Sequence, residues 1–259
     1  MSYEPVRHGL YRGLSRLHRV VWPEAAGPGL RVLAYHSVGG ALKEDPHGTS
    51  INPVVFTGHM IHLASLRGPW EFPVGLRLTS EQPAVAITFD DGYKDTLTVA
   101  CPILVQLGLP LTVFVATSNL EDQSGLYLNK TELRELSNVQ GVTIGAHGHA
   151  HAALDSLSDA ALKEDLSKSR KILEDALGYP VTSMSYPFGR VDRRVRDAAQ
   201  EAGFTLGACS RYGVNGPDRD PLLMCRTEVV AWDGVDDLVL KTTGHWDWFR
   251  HRRPDPQKR

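Results

Sequence analysis

The run Ala84-Val85-Ala86-Ile87-Thr88-Phe89-Asp90-Asp91-Gly92-Tyr93-Lys94-Asp95 decides how the rest of the chain is read. Ala84 to Phe89 is a short apolar stretch closed by a turn signal, the signature of a strand buried on both faces. It ends in two adjacent carboxylates. Side chains alternate along a strand, so Asp90 and Asp91 cannot share one environment while the strand continues. Where the backbone turns, both can reach one site from different sides. In barrels and open α/β sheets, chemistry gathers at the carboxyl ends of the strands. The competing reading is a solvated Asp-Asp-Gly turn.

Working outward, other strand candidates end the same way. Leu30 to Val38 carries Tyr35, His36 and Ser37 near its end, Val142 to Ala146 runs into His147-Gly148-His149-Ala150-His151, and Ser183 to Tyr186 runs into Pro187-Phe188-Gly189-Arg190. Between them lie helical patterns at Pro53–Leu66, Asp95–Leu107 (interrupted by Pro102), Lys130–Ser137, Ser158–Leu177, Val191–Ala202 and Val235–Lys241. Leu111–Ala116, Thr205–Cys209 and Leu222–Val230 complete the strands. Strands alternating with helices over about 210 residues predict one parallel-sheet α/β domain, closed as a barrel or open. In a parallel sheet those strand ends face one way, so the polar clusters converge on one site. His59 and His62 on the helix after Pro53 are read as surface or boundary histidines.

The flanks read differently. Residues 3–22 form an amphipathic helix in which Leu10, Leu14, Leu17 and Val21 recur at helical spacing, accompanied by Arg7, Arg12, Arg16 and Arg19. We read the apolar stripe as docked on its own domain, with peripheral contact to an anionic membrane surface as the alternative. The organisation expected is therefore helix and linker over 1–29, a catalytic domain over 30–245, and a basic, disordered tail over 246–259. Composition narrows the class further. At 42% hydrophobic the 259-residue chain can bury a sizeable core, and a net charge of −2 gives no global basic field for nucleic acid. Cys101, Cys209 and Cys225 form no Cys-x-x-Cys pair and read as buried small apolar residues. No stretch approaches the roughly 18 continuous apolar residues of a membrane span, and no signal-peptide core is seen, so the expected compartment is the cytoplasm, with the inner membrane surface in reach of the basic helix.

Two neutral imidazoles and one carboxylate make a ligand set that suits zinc or another first-row divalent ion and leaves positions for water and substrate. His147 and His151, four apart with Gly148 giving slack, are the imidazole candidates; His149 between them is the alternative ligand, read as solvent-facing or supporting. The Asp pair then divides its labour, one carboxylate on the metal and the other as general base toward the attacking water. An amine leaving group needs an acid, for which His36 is the candidate.

Thr88-Phe89-Asp90-Asp91-Gly92, Gly145-Ala146-His147-x-x-x-His151 and Tyr186-Pro187-Phe188-Gly189 together resemble three motifs of the polysaccharide deacetylases, the chitooligosaccharide-deacetylase-like carbohydrate esterases. Tyr35-His36-Ser37-Val38 is similar to the branch with an early Tyr-His motif, which includes deacetylases of exopolysaccharides and poly-N-acetylglucosamine. The resemblance spans roughly residues 30–230 and implies a distorted (β/α)7 barrel. It implies Asp90 as general base, Asp91, His147 and His151 as ligands of a divalent metal (Zn2+ first, with Co2+, Ni2+ or Mn2+ also suited), and His36 as general acid. Phe188 falls where the family uses a backbone N–H to stabilise the oxyanion. The arginine that usually precedes the prolines of the third motif is absent, and Arg226 is the candidate to orient Asp90 instead. The late Leu-x-His motif is also missing; Gly244-His245-Trp246 is a poor substitute, lying beyond the last helix. The function implied is metal-dependent removal of N-acetyl groups from N-acetylhexosamine units of a polysaccharide, oligosaccharide or lipid-linked precursor, with release of acetate. The alternatives are an O-acetyl esterase or a non-sugar amide or imide hydrolase on the same site, and, in another class, a silent carbohydrate-binding barrel.

Overall fold

The computed structural model describes all residues except 1–3, 24–26, 41, 43–44, 78–80, 253–254 and 259. Nine strands are described: β1 Gly29–Tyr35, β2 Ser37–Val38, β3 Ser50–Ile51, β4 Pro83–Phe89, β5 Leu111–Val115, β6 Val142–Ala146, β7 Ser183–Ser185, β8 Leu206–Ala208 and β9 Thr227–Glu228. The α-helices are α1 Glu4–Val21, α2 Pro53–Ser65, α3 Cys101–Gln106, α4 Lys130–Ser137, α5 Asp159–Leu177, α6 Arg193–Glu201 and α7 Val235–Thr242.

Seven strands make one parallel sheet in the order β8-β7-β6-β5-β4-β1-β9. The sheet curls into a distorted (β/α)7 barrel, and the seam between its edges is crossed by the bridge Ala208↔Met224. Alternation along β4 separates two cores. Val85, Ile87 and Phe89 point into the large cluster between sheet and helices. Ala84 and Ala86 point the other way, into a small cluster with Leu30, Val32, Phe114, Ala208 and Met224 that fills the barrel. The alanines of β4 and β8 leave room inside for the larger Leu30, Phe114 and Met224, a mix that fills a narrow barrel. The expected double burial of β4 follows from that division.

Register sets up the site. Tyr35 pairs with Phe89, Val115 with Ala146, and Ser185 with Ala208, so His36, Asp90 and His147 leave the sheet on one rim. Some boundaries differ from expectation. The strand expected over 30–38 stops at Tyr35, and Ser37–Val38 instead pairs with β3 in a separate two-stranded sheet. Leu222–Val230 is mostly irregular, beginning in a 3-10 turn at Pro221–Leu223 and holding only the two-residue β9. Pro102 does not end the helical run but marks a change in it: the turn before it, Thr96–Ala100, is π-helical, and the run continues as α3 with Pro102 at its second residue.

The N-terminal helix is inverted relative to expectation. Leu10, Leu14, Leu17 and Val21 are 67%, 50%, 60% and 53% exposed. The polar side docks instead. His8 is buried, with Nε2 3.1 Å from Asp233 Oδ1 and its ring stacked on Trp246. Arg12 meets Asp237 at 2.6 Å, and Ser15 Oγ accepts from the Trp248 indole. Asp233 and Asp237 are buried around the start of α7. A buried carboxylate stripped of its partners costs about 3–5 kcal/mol, and α1 supplies partners only from its polar face. The expected tail disorder also differs from what is described. Trp246 is buried beside Tyr212 and Leu240, and Asp255 receives Arg219 at 2.9 Å and Arg211 at 3.4 Å. Pro254, which contributed to that expectation, lies outside the described residues. The three cysteines are buried. His59 is fully buried too, between Tyr35 Oη and the Asp233 carbonyl, so it is a core histidine, not a boundary one.

Candidate active site

The carboxyl ends of β1, β4, β6, β7 and β9 surround a pocket of about 230 Å³ whose lining includes His36, Asp90, Asp91, His147, His151 and Phe188. Arg226 lines it too, so all seven residues singled out in the sequence meet there. Of the polar trio ending β1, His36 alone turns to the pocket. Tyr35 packs between Phe56 and Phe89 in the core, and Ser37 donates to Asp95 at 2.5 Å.

The two aspartates part as the backbone turns. Asp90 amide still bonds to Tyr35 O, prolonging the β1–β4 ladder by one residue. Asp91 takes a left-handed φ of 72° and Gly92 one of 76°, which swings the second carboxylate to the other side. Asp91, His151 and Phe188 are the non-glycine residues with positive φ among those described, and all three line the pocket. Each such residue stores about 1–3 kcal/mol of strain. The Asp91 turn is held by Asn119, whose amide donates to Asp91 O at 3.1 Å.

Asp90 is built in from three sides. Arg226 clamps it through Nη1–Oδ1 at 2.7 Å and Nη2–Oδ2 at 2.8 Å, and Ser185 Oγ donates to Oδ2 at 3.1 Å. Burial by itself would raise this carboxyl's pKa, but Arg226 and His147 outweigh it and hold it down to about 2. Asp91 lies opposite, its Oδ1 3.3 Å from His147 Nε2 and 3.1 Å from His151 Nε2. Burial opposes its ionisation as well, and the two imidazoles override it, keeping the pKa well below the carboxylate range. Burial disfavours the His147 cation, yet Asp90 and Asp91 together raise its pKa.

These contacts test whether a divalent cation fits. One donor atom each from Asp91, His147 and His151 lies within 4.8 Å of the others. Asp91 Oδ1 is buried and has no hydrogen bond of good geometry, although both Nε2 atoms are close to it. His147 Nδ1 lies 2.9 Å from Ser185 O; a carbonyl can only accept, so Nδ1 carries the hydrogen and the neutral ring turns the Nε2 lone pair to Asp91. Two carboxylates that call for positive charge at this point are met by a proton or by a metal ion. The donor set fits a divalent ion.

Some contributors were not legible in the sequence. Asp165 on α5 accepts from His149 N at 2.8 Å and Ala150 N at 2.9 Å, pinning the loop that carries both histidines. Its sequence signal was a carboxylate on the same helical face as Leu162, Leu166 and Leu173. Ser185, which serves both Asp90 and His147, and His47, which lines the pocket, gave no comparable signal. His149 turns aside to Thr117 Oγ1 at 2.9 Å.

Known proteins share this fold and part of this sequence. The polysaccharide deacetylase family model matches residues 77–207. YxkH of Bacillus subtilis is 26% identical over 208 residues, 77% of this chain and 71% of that protein. The poly-beta-1,6-N-acetyl-D-glucosamine N-deacetylase of Staphylococcus aureus is 23% identical over 65% of this chain and 60% of its own length. Among solved structures, Streptococcus pyogenes deacetylase PplD superposes with a TM-score of 0.71 at 21% identity, covering 83% of this chain and 98% of that one. IcaB of Ammonifex degensii gives the same score and identity over 85% and 98%. With the family match spanning more than half of its 259 residues, the chain belongs to the polysaccharide deacetylase family.

Proposed function

We propose that this chain removes the N-acetyl group from N-acetylhexosamine units of a glycan, by hydrolysis, with Asp91, His147 and His151 holding a zinc ion. One observation carries the reading: two imidazoles and a carboxylate converge on one point, within the same pocket as a second, separately clamped carboxylate. A bound divalent ion supplies Lewis acidity, lowering the pKa of water and polarising the acyl oxygen. Asp90 is the general base. Its low pKa keeps it ionised at neutral pH, and the Arg226 clamp fixes its orientation. It takes the proton of the attacking water as the water oxygen joins the acyl carbon. The backbone N–H of Phe188, a pocket-lining residue with a left-handed φ of 59°, stabilises the developing oxyanion. His36, whose Nδ1 is buried without a hydrogen-bond partner, gives a proton to the departing nitrogen as the C–N bond breaks, leaving an amine and acetate.

The substrate class is supported by the surroundings of the pocket. The pocket is small, yet it shares His47, Thr49 and Tyr93 with a wider groove of about 850 Å³, in which Tyr93 and Tyr127 stack at 4.9 Å. A small site for one acyl group beside a groove with an aromatic platform suits an extended glycan. The S. aureus relative, whose name specifies a poly-N-acetylglucosamine substrate, supports the same class.

The test is acetate release from N-acetylglucosamine oligomers, with metal content measured alongside. Wild type is expected to bind about one divalent ion and release acetate. Asp90→Asn should keep the metal and lose about 10²–10⁴-fold in rate, whereas Asp91→Asn should lose the metal. If wild type loaded with zinc releases no acetate, or Asp90→Asn matches wild type, the reading fails.

A further inference from the structure

The outward face of α1 is the largest feature that the hydrolase reading leaves unused. Val6, Leu10, Leu14, Leu17 and Val21, three or four residues apart, are all at least half exposed, as is Trp22 just beyond the helix. The helix does not hold this face outward for lack of a docking partner. Its opposite side is tied to the domain by His8, Arg12 and Ser15, so the apolar stripe points away from the protein by construction. A continuous apolar stripe on an otherwise polar surface marks an interaction face.

We propose that α1 lays this stripe on a lipid bilayer surface rich in anionic headgroups. Charge selects the partner. Between residues 5 and 21 the helix carries four arginines and no aspartate or glutamate, its one acidic residue being Glu4, although the whole chain has a net charge of −2. Arg7 and Arg16 are exposed and leave the helix to either side of the stripe, within reach of headgroup phosphates when a helix sits in the interface plane, and Arg16 also lies 3.9 Å from the exposed Asp236. Trp22 ends the stripe, and tryptophan favours the boundary between acyl chains and headgroups. A second copy of the chain is a poorer occupant. A two-fold contact through this face would bring the arginines of both helices together with almost no carboxylate in either helix to receive them. The helix lies on the surface and does not cross: no helix among the described residues is long and apolar enough to span a membrane. The inference goes beyond the hydrolase reading and does not depend on it.

Co-sedimentation of the full chain with vesicles tests this, using phosphatidylcholine alone and phosphatidylcholine mixed with phosphatidylglycerol. Wild type is expected to pellet with the mixed vesicles, much less with phosphatidylcholine alone, and to be released by salt. The triple change Leu10→Ser, Leu14→Ser, Leu17→Ser should weaken partitioning on the order of tenfold or more. The pair Arg7→Glu, Arg16→Glu should abolish the preference for the anionic vesicles. Both variants alter exposed side chains, so their thermal midpoints should match wild type, and acetate release from soluble oligomers gives an independent reading. Failure to pellet with either vesicle, or equal binding to both, overturns the proposal. So does a dimer in sedimentation equilibrium that the triple serine variant dissociates, since a second copy would then cover the stripe.

Discussion

At the scale of single residues, the site rests on one buried ion pair. Asp90 and Arg226 are both almost inaccessible, and their two-point contact leaves neither charge unpaired. Removing one partner is costly because the other remains charged and buried. Arg226→Met should destabilise the fold by about 3–5 kcal/mol, measured by urea unfolding, and Asp90→Leu added to it should recover part of that loss. If the single and double changes cost the same, the pair contributes through packing alone. The pH dependence has a definite sign. A carboxylate whose folded pKa is depressed stabilises the fold above its unfolded value near 4 and loses that contribution as pH falls through the folded value, here about 2. Arg226→Gln removes the principal cause of the depression while burial still pushes upward. Asp90 should therefore protonate at higher pH, and the acid limb of kcat/KM should move up in pH. A limb unchanged in Arg226→Gln would mean that another group sets it. The strain at Asp91, His151 and Phe188 belongs to the same scale: three left-handed residues aimed into one pocket mark where the fold has been bent to serve the site.

At the scale of elements, the loop between β6 and α5 is the part most exposed to misreading. His147 and His151 were legible because their spacing and their place after an apolar strand carry a signal. What makes them a pair is Asp165, sixteen residues beyond His149, whose carboxylate takes two successive backbone N–H groups. A clamp made with backbone leaves no pattern in the residues it clamps, so it is invisible until the helix is docked. Gly148 shows how closely the parts fit: its φ is +72°, and a Cβ there would sit 2.9 Å from Asp165 Oδ1. Asp165→Ala should therefore lower zinc affinity about 10–100-fold, the usual range for groups that hold ligands in place, as read by competition with a chelator. Asp165→Asn keeps one acceptor and should fall between. Equal zinc affinity in all three proteins would show that the loop is fixed by other contacts. The orientation of α1 was illegible for a related reason. Its apolar spacing predicted a docked stripe, but the deciding partner of Arg12 is Asp237, 225 residues away, and local periodicity carries no information about such a pair.

At the scale of the whole molecule, the alternation of strands and helices made the parallel sheet readable, and the motifs named the barrel. The way the barrel is closed could not be read, because its last strand is two residues long and its seam is made by irregular backbone. That seam also delivers Arg226. Met224 N bonds to Gly207 O and Cys209 N to Met224 O, tying the segment before β9 to β8. Asn215 then staples it to β1. Its side chain donates to Leu30 O at 3.0 Å and Cys225 O at 2.9 Å and accepts from Cys225 N at 2.7 Å, while the residue itself is fully buried. Three buried hydrogen bonds at about 1 kcal/mol each, plus an orphaned Cys225 N–H, make Asn215→Ala costly by roughly 3–5 kcal/mol. The functional consequence separates this from ordinary loss of stability. Arg226 follows Cys225 directly, so a loosened seam should misplace the clamp on Asp90 while leaving Asp91, His147 and His151 alone. Below its unfolding temperature, Asn215→Ala should keep its metal, lose kcat with little change in KM, and show the same upward shift of the acid limb as Arg226→Gln. Full activity in a destabilised but folded Asn215→Ala would show that the seam and the site are independent.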